Sequence, residues 1–413
     1  MMPSAVKRDR QEVDMKDRIY IKGFVAGILT AAVAAAGVYA GYSLQDRGVL
    51  SDPEHTQKIR YLESLIDREY LEEKDEESLA EGLYAGLLYG LGDPYSCYYT
   101  AEQYEQTNSS TEGSYVGIGV TIQENPEGGV KIAECYEEGP GDQAGLEAGD
   151  VLSAVDGTDI TEKEASEVVE MIKEAEGREV NLTVHRQGEA EPFEISVKVQ
   201  DVELPSVFEE MLDETAGYIR ISQFTGVTPK QYEEAFASLE EQGMQQLVID
   251  LRNNPGGLLT SVCDVLRNIL PEGIIVYTED KYGNRQEETC NGENPLEIPL
   301  AVLVNEGSAS AAEIFAGAVK DYGTGTIVGT VTYGKGVVQA VHELEDGSAV
   351  KLTIADYYTP DGNSINHTGI TPDVEVKLDT DLLNKEEINH EEDNQLQEAL
   401  KVLREKVAQP VDG

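Results

Sequence analysis

The spacing of apolar and polar residues changes several times along the chain. Residues 23–45 contain no charge, and the apolar run Gly23–Tyr42 spans about 20 residues, enough for a helix to cross a hydrocarbon core about 30 Å thick. Six basic residues precede it and Asp46 follows, a pattern that favours membrane insertion with the N-terminus in the cytoplasm over burial as an Ala-rich core helix. A cleaved signal peptide is the alternative, because Val38-Tyr39-Ala40 offers small residues to a peptidase; the run is long for a signal core, so the reading is an uncleaved anchor. Residues 53–105 read as helical, with Leu62, Leu65, Ile66 and Tyr70 at 3–4 spacing, then Leu79, Leu83, Leu87 and Leu88. Gly90 and Gly92-Asp93-Pro94 stop that pattern. The period then falls to 2: Tyr115–Ile122 alternates as a strand, Glu127-Gly128-Gly129 turns, and Val130–Ala133 is a second strand. A helix over Ala165–Ala175 and a strand over Val180–His185 close this unit. From about residue 204 strands and helices alternate: strand Ala216–Ile221, helix Pro229–Gln242, strand Gln246–Asp250, helix Ser261–Ile269, strands Ile274–Tyr277 and Leu300–Val304, a helix from Ala309, and strand Gly325–Gly329. Such alternation predicts a largely parallel or mixed sheet covered by helices. Charged helix returns at the end, including Asn394–Lys406.

Composition sharpens this picture mainly through charge. Of 413 residues, 79 are acidic and 31 are Lys or Arg, a formal net charge of −48 that repels phosphate backbones, so no nucleic-acid partner is expected. The four Cys and five His are scattered without C-x-x-C or H-E-x-x-H spacing; neither a disulfide framework nor a metal site is expected, and no cofactor is called for.

Three short segments carry the candidate chemistry. Asp250-Leu251-Arg252-Asn253-Asn254-Pro255-Gly256-Gly257 ends an apolar strand in a turn whose small residues can expose backbone N–H groups to an oxyanion, although such a string is also a plain turn. Asn305-Glu306-Gly307-Ser308-Ala309-Ser310 follows a strand and opens a helix, the setting of a nucleophilic serine on a sharp turn, and equally that of a serine N-cap. Tyr333-Gly334-Lys335-Gly336 places one lysine among glycines and apolar residues, where desolvation would favour a neutral amine able to act as a base; in an exposed turn it would stay charged.

Residues 115–120 (Tyr-Val-Gly-Ile-Gly-Val), Pro140–Leu146 and Ala148–Gly157 together resemble a PDZ domain. In that resemblance Val116, Gly117, Ile118, Gly119 and Val120 form the peptide-binding loop, with a ligand strand added beside Val120–Ile122 and its terminal carboxylate on successive N–H groups. With the three segments above, and Gly369-Ile370-Thr371-Pro372-Asp373-Val374 near the end, nearly the whole chain beyond residue 45 resembles the carboxyl-terminal processing (tail-specific) proteases. The resemblance implies an α/β protease core with a mixed sheet, an embedded PDZ domain, helical N- and C-terminal arms and one transmembrane helix. It divides the chain into a basic tail (1–22), anchor (23–45), helical region (46–105), PDZ domain (106–203), catalytic domain (204–380) and charged helical tail (381–413). It implies Ser310 as nucleophile, Lys335 as general base, Gln339 as the residue orienting that lysine, the N–H groups of Gly256 and Ala311 as oxyanion hole, and Asp321 as a supporting acid. Ser310 is preferred to Ser308 because it is nearer the helix N-terminus; Ser308 then serves the turn. Ala312 stands where the family often has a second serine. The implied activity is endoproteolysis of exported proteins near their C-termini, outside the membrane, on substrates with accessible C-termini; an inactive PDZ scaffold and an esterase are the alternatives. The helical arms at 53–105 and 381–406 have apolar faces that could pair two subunits.

Overall fold

The computed structural model describes residues 48–136, 138–383, 385 and 388–408. The span expected at 23–45 lies outside them, and among the described residues no helix is long and apolar enough to cross a membrane. The chain divides into a unit ending at Gly82 and a larger one beginning at Leu83. Helix α1 (Pro53–Glu69) starts behind Asp52, whose carboxylate accepts the Glu54 N–H, with Pro53 in the first helical position. Helix α2 (Glu76–Tyr89) ends at the expected glycine stop. Tyr61, Leu62, Leu79, Leu83 and Leu87 on these helices are exposed. The helical periodicity read over 53–105 hides a strand, β1 (Cys97–Tyr99); it is followed by α3 (Ala101–Glu112), capped by the reciprocal Thr100–Gln103 pair.

The next strand, β2 (Ser114–Gly117), begins an inserted module of β3 (Val120–Glu124), β4 (Val130–Cys135), α4 (Pro140–Ala144), β5 (Val151–Val155), β6 (Thr158–Asp159), α5 (Ala165–Lys173), β7 (Glu179–His185) and β8 (Phe193–Lys198). It closes with β9 (Gln200–Glu203), which pairs with β2, so the chain enters and leaves the module through one ribbon. Its sheet runs β3-β4-β5-β7-β8, with β3 at the edge and α5 supplying Val168 and Ile172 to the core. The single strand expected over Tyr115–Ile122 is two strands instead. Gly119 turns the chain at φ +75°, and a Cβ there would lie 3.0 Å from the Pro140 ring.

The core follows with β10 (Val207–Met211), β11 (Ala216–Ile221), α6 (Thr228–Glu241), β12 (Gln246–Asp250), α7 (Leu259–Leu266), β13 (Gly273–Asp280) and β14 (Arg285–Cys290). It continues with β15 (Leu300–Val304), α8 (Ala311–Tyr322), β16 (Gly325–Gly329), β17 (Val337–Glu343), β18 (Ala349–Tyr358), β19 (Val374–Glu375) and α9 (Asn394–Ala408). The main sheet runs β10-β11-β12-β15-β16-β19; only β10 is antiparallel to its neighbour. One face packs Ile249, Val302 and Val304 against Leu239, Leu266 and Phe315 from α6, α7 and α8. The other packs Val248, Ala301 and Leu303 under Leu396, Ala399, Leu400 and Leu403 of α9. Burial on both faces is why the central strands are unbroken apolar runs. It also corrects the expectation for the C-terminal arm, whose apolar face is spent on the chain's own sheet. A second sheet runs β1-β18-β13-β14, with β17 paired to β18.

Candidate active site

Two of the three segments lie where the topology places them together. The loops 250–257 and 305–310 leave the carboxyl ends of β12 and β15, adjacent parallel strands, and such strand ends form the crevice where α/β sheets bind ligands. The loops are laced together. Asn253 N–H donates to Asn305 Oδ1 (2.8 Å), Asn305 Nδ2 to Asn253 Oδ1 (2.9 Å) and Ala309 N–H to the Asn254 carbonyl (2.9 Å). Ser308 is fully buried and its Oγ donates to the Leu251 carbonyl (2.7 Å), so it serves the turn. Ser310 is half-buried at the start of α8 with φ +53° and ψ −114°, a backbone state that costs a non-glycine residue about 1–3 kcal/mol and is held by the surrounding bonds. Gly256 packs against it: a Cβ there would lie 2.8 Å from Ser310 Cβ and 2.9 Å from Ala311 N, so only glycine permits this approach. The geometry thus brings Ser310, Ala311 and Gly256 together. In this arrangement the Gly256 N–H donates to Asn254 Oδ1 (2.8 Å).

The third segment is tied to Ser310 by a residue that the sequence reading passed over. The carboxylate of Glu313, fully buried in the first turn of α8, accepts four hydrogen bonds: Ser310 N–H (2.9 Å) and Lys335 N–H (2.9 Å) on Oε2, Gly334 N–H (2.7 Å) and Thr332 Oγ1 (2.6 Å) on Oε1. Tyr357 adds a second tie, its buried hydroxyl facing the carbonyls of both Ser310 (3.1 Å) and Lys335. A sequence signal existed for Glu313, since Ser310-x-x-Glu313 has the spacing of a capping box. Tyr357 gave none, because it comes from a distant strand. Lys335 sits between glycines for a packing reason: a Cβ on Gly336 would lie 2.3 Å from Asn366 N, and one on Gly334 3.2 Å from Gly369 N. Burial pushes the Lys335 amine below the usual lysine range and the Lys351 ammonium adds to this, while the carboxylates of Asp93 and Glu313 pull the other way. Its Nζ lies over the Tyr95 ring, 4.7 Å from the centroid, and makes no hydrogen bond to Ser310.

The remaining expected residues are placed differently. Gln339, on β17, directs its amide to the Val337 carbonyl (3.3 Å) and Thr353 Oγ1 (3.4 Å) rather than to Lys335. Asp321 stands near the far end of α8, roughly 16 Å of helix from Ser310 at 1.5 Å per residue, where it accepts the Asp361 N–H (3.0 Å). Val116, Gly117, Ile118, Gly119 and Val120 run from β2 into β3, the free edge of the module's sheet, with the Ile118 side chain buried. The loop 250–257 has its own support. Buried Asp250 accepts from Tyr218 Oη (2.8 Å) and the Arg252 guanidinium, which also pairs with Asp393 (2.8 Å) at the start of α9. Both carboxylates raise the Arg252 pKa above its ordinary range against the opposing effect of burial.

Known proteins are similar to this chain over most of its length. Residues 215–376 match the model of peptidase family S41, residues 131–186 that of a PDZ domain, and residues 31–103 that of the activating protease CtpB N-terminal domain. The carboxyl-terminal-processing protease of Synechocystis sp. is 37% identical over 327 residues, covering 78% of this chain and 76% of its own. The carboxy-terminal processing protease CtpA of Bacillus subtilis is 32% identical over 363 residues, covering 87% and 78%. Among solved structures, the photosystem II D1 C-terminal processing protease is similar at 29% identity over 77% of this chain and 86% of that one, with a TM-score of 0.45. These matches show a carboxyl-terminal processing serine peptidase with a PDZ domain, and the chain belongs to peptidase family S41.

Proposed function

We propose that the protein cleaves exported polypeptides near their C-termini with a Ser310–Lys335 dyad, on the outer side of a membrane to which residues 23–45 hold it as a single-pass helix. The observation that carries the dyad is the Glu313 carboxylate, which binds the backbone N–H of both residues and so fixes the spacing of their Cα atoms. Ser310 Oγ attacks the scissile carbonyl while neutral Lys335 takes its proton. The oxyanion forms at the N-terminus of α8, where the Ala311 N–H and the helix dipole favour negative charge, with the Gly256 N–H as second donor once it leaves Asn254. Lys335 then protonates the leaving amine, and water, deprotonated by the same lysine, resolves the acyl-enzyme. Gln339 turns from Thr353 to orient the lysine. The PDZ loop Val116–Val120 reads the substrate's terminal carboxylate beside edge strand β3, and the exposed apolar faces of α1 and α2 pair two subunits. The anchor rests on the uncharged run behind six basic residues.

The test is hydrolysis of an unstructured polypeptide by the purified protein. Turnover is expected to rise from neutral into alkaline pH, because the amine must lose its proton to act as a base, and to vanish in Ser310→Ala and Lys335→Ala. Lys335→Arg at wild-type turnover would remove the lysine from the mechanism.

A further inference from the structure

The amine that the dyad needs beside Ser310 rests on an aromatic ring. At 4.7 Å from the Tyr95 ring centroid, an ammonium is held by the negative face of the π-system. The backbones on either side of this contact are fixed. Lys335 is bound through its N–H and carbonyl to Glu313 and Tyr357. Tyr95 belongs to a loop closed by Asp93, which accepts Tyr95 N–H (3.0 Å) and Ser96 Oγ (2.6 Å), and Ser96 Oγ in turn accepts Thr353 N–H (3.0 Å) from β18. Only the four-carbon lysine side chain is left to change place. We propose that Tyr95 is a positioning residue that holds Lys335 in a resting place off Ser310, from which the amine must swing to take the serine proton. The proposal rests on the Ser310–Lys335 reading.

Around Lys335 are the carboxylates of Asp93 and Glu313, the ammonium of Lys351, the Tyr95 ring under its amine and the Tyr357 hydroxyl on its carbonyl, while Tyr333 faces Tyr95. Together with the carboxylates of Asp93 and Glu313, the Tyr95 ring favours the ammonium, the form that cannot accept a proton. Tyr95→Leu retains apolar bulk and removes the π-face; Tyr95→Phe retains the face and removes the hydroxyl. Profiles of kcat/KM against pH on one unfolded fluorogenic peptide, measured with the full-length protein, separate the two. Tyr95→Phe is expected to follow wild type. Tyr95→Leu is expected to move the midpoint of the alkaline rise down by about 0.5–1 pH unit, a three- to tenfold gain below the midpoint. If Tyr95→Leu does not fold, Tyr95→Met carries the same test. An unchanged or raised midpoint in the leucine variant, a phenylalanine variant that shifts equally, or a uniform loss at every pH with unchanged thermal unfolding would each overturn the proposal. Lys335→Ala measured alongside keeps the two readings apart: turnover in that variant would sink the dyad itself, whatever the Tyr95 variants do.

Discussion

Glu313 is the group to which both halves of the proposed dyad are tied, so its replacement tests whether the clamp places them. Glu313→Gln turns one acceptor oxygen into a donor. The amide nitrogen settles on the Oε1 side, because the Thr332 hydroxyl can rotate to accept from it while the Ser310 and Lys335 N–H groups cannot. Gly334 N–H then loses its acceptor in a buried site, at about 1–3 kcal/mol. Glu313→Ala removes all four bonds and leaves three buried N–H groups unpaired, at about 3 kcal/mol or more on the same scale. The chemical effect follows from position: about 1 Å of misplacement costs about a hundredfold in rate. The expected outcome is a glutamine variant that folds, melts slightly lower and keeps about a tenth of wild-type kcat, and an alanine variant at or below about one hundredth. The assay pairs urea unfolding followed by circular dichroism with turnover on one peptide. Wild-type kcat in Glu313→Ala, with either unfolding midpoint, would refute the reasoning.

Arg252→Ala leaves Asp250 and Asp393 buried without their partner and should cost about 3–5 kcal/mol in urea unfolding, with turnover falling because the loop 250–257 loses its tie to α9; Arg252→Lys should recover stability only in part. Excision of residues 118–199 with a short Gly linker joining β2 to β9 should leave the core's thermal unfolding intact, because the two strands are already paired. Cleavage of unfolded chains should then persist while the preference for a free over an amidated C-terminus disappears; equal loss on both substrates, with the core folded, would show that the module builds the active site.

The strands Ala216–Ile221, Gln246–Asp250, Leu300–Val304 and Gly325–Gly329 could be read residue for residue, because both faces of that sheet are covered and the chain must supply unbroken apolar runs between charged loops. The β17–β18 ribbon was not read. Its strands are half-exposed, with Val341 and Ile354 turned to solvent and His342, Glu343 and Lys351 among them, so neither period nor composition marks it out. The segments that hold Ser310, Ala311 and Gly256 could be picked out because each is a loop leaving an apolar strand, while the roles expected of these residues came from the family resemblance. Tyr95, Tyr357 and the tie from Glu313 to the lysine loop depend on contacts across 19 to 240 residues, which no short window along the sequence contains.

The claim that Lys335 activates Ser310 is open to one direct measurement. The full-length protein is treated with a fluorophosphonate at several pH values and the modified residue is located by mass spectrometry of its peptides. The account predicts one adduct, on Ser310, forming faster as pH rises and absent in Lys335→Ala and Lys335→Arg under the same exposure. An adduct on another serine, or Ser310 labelled at the same rate without the lysine, would contradict it.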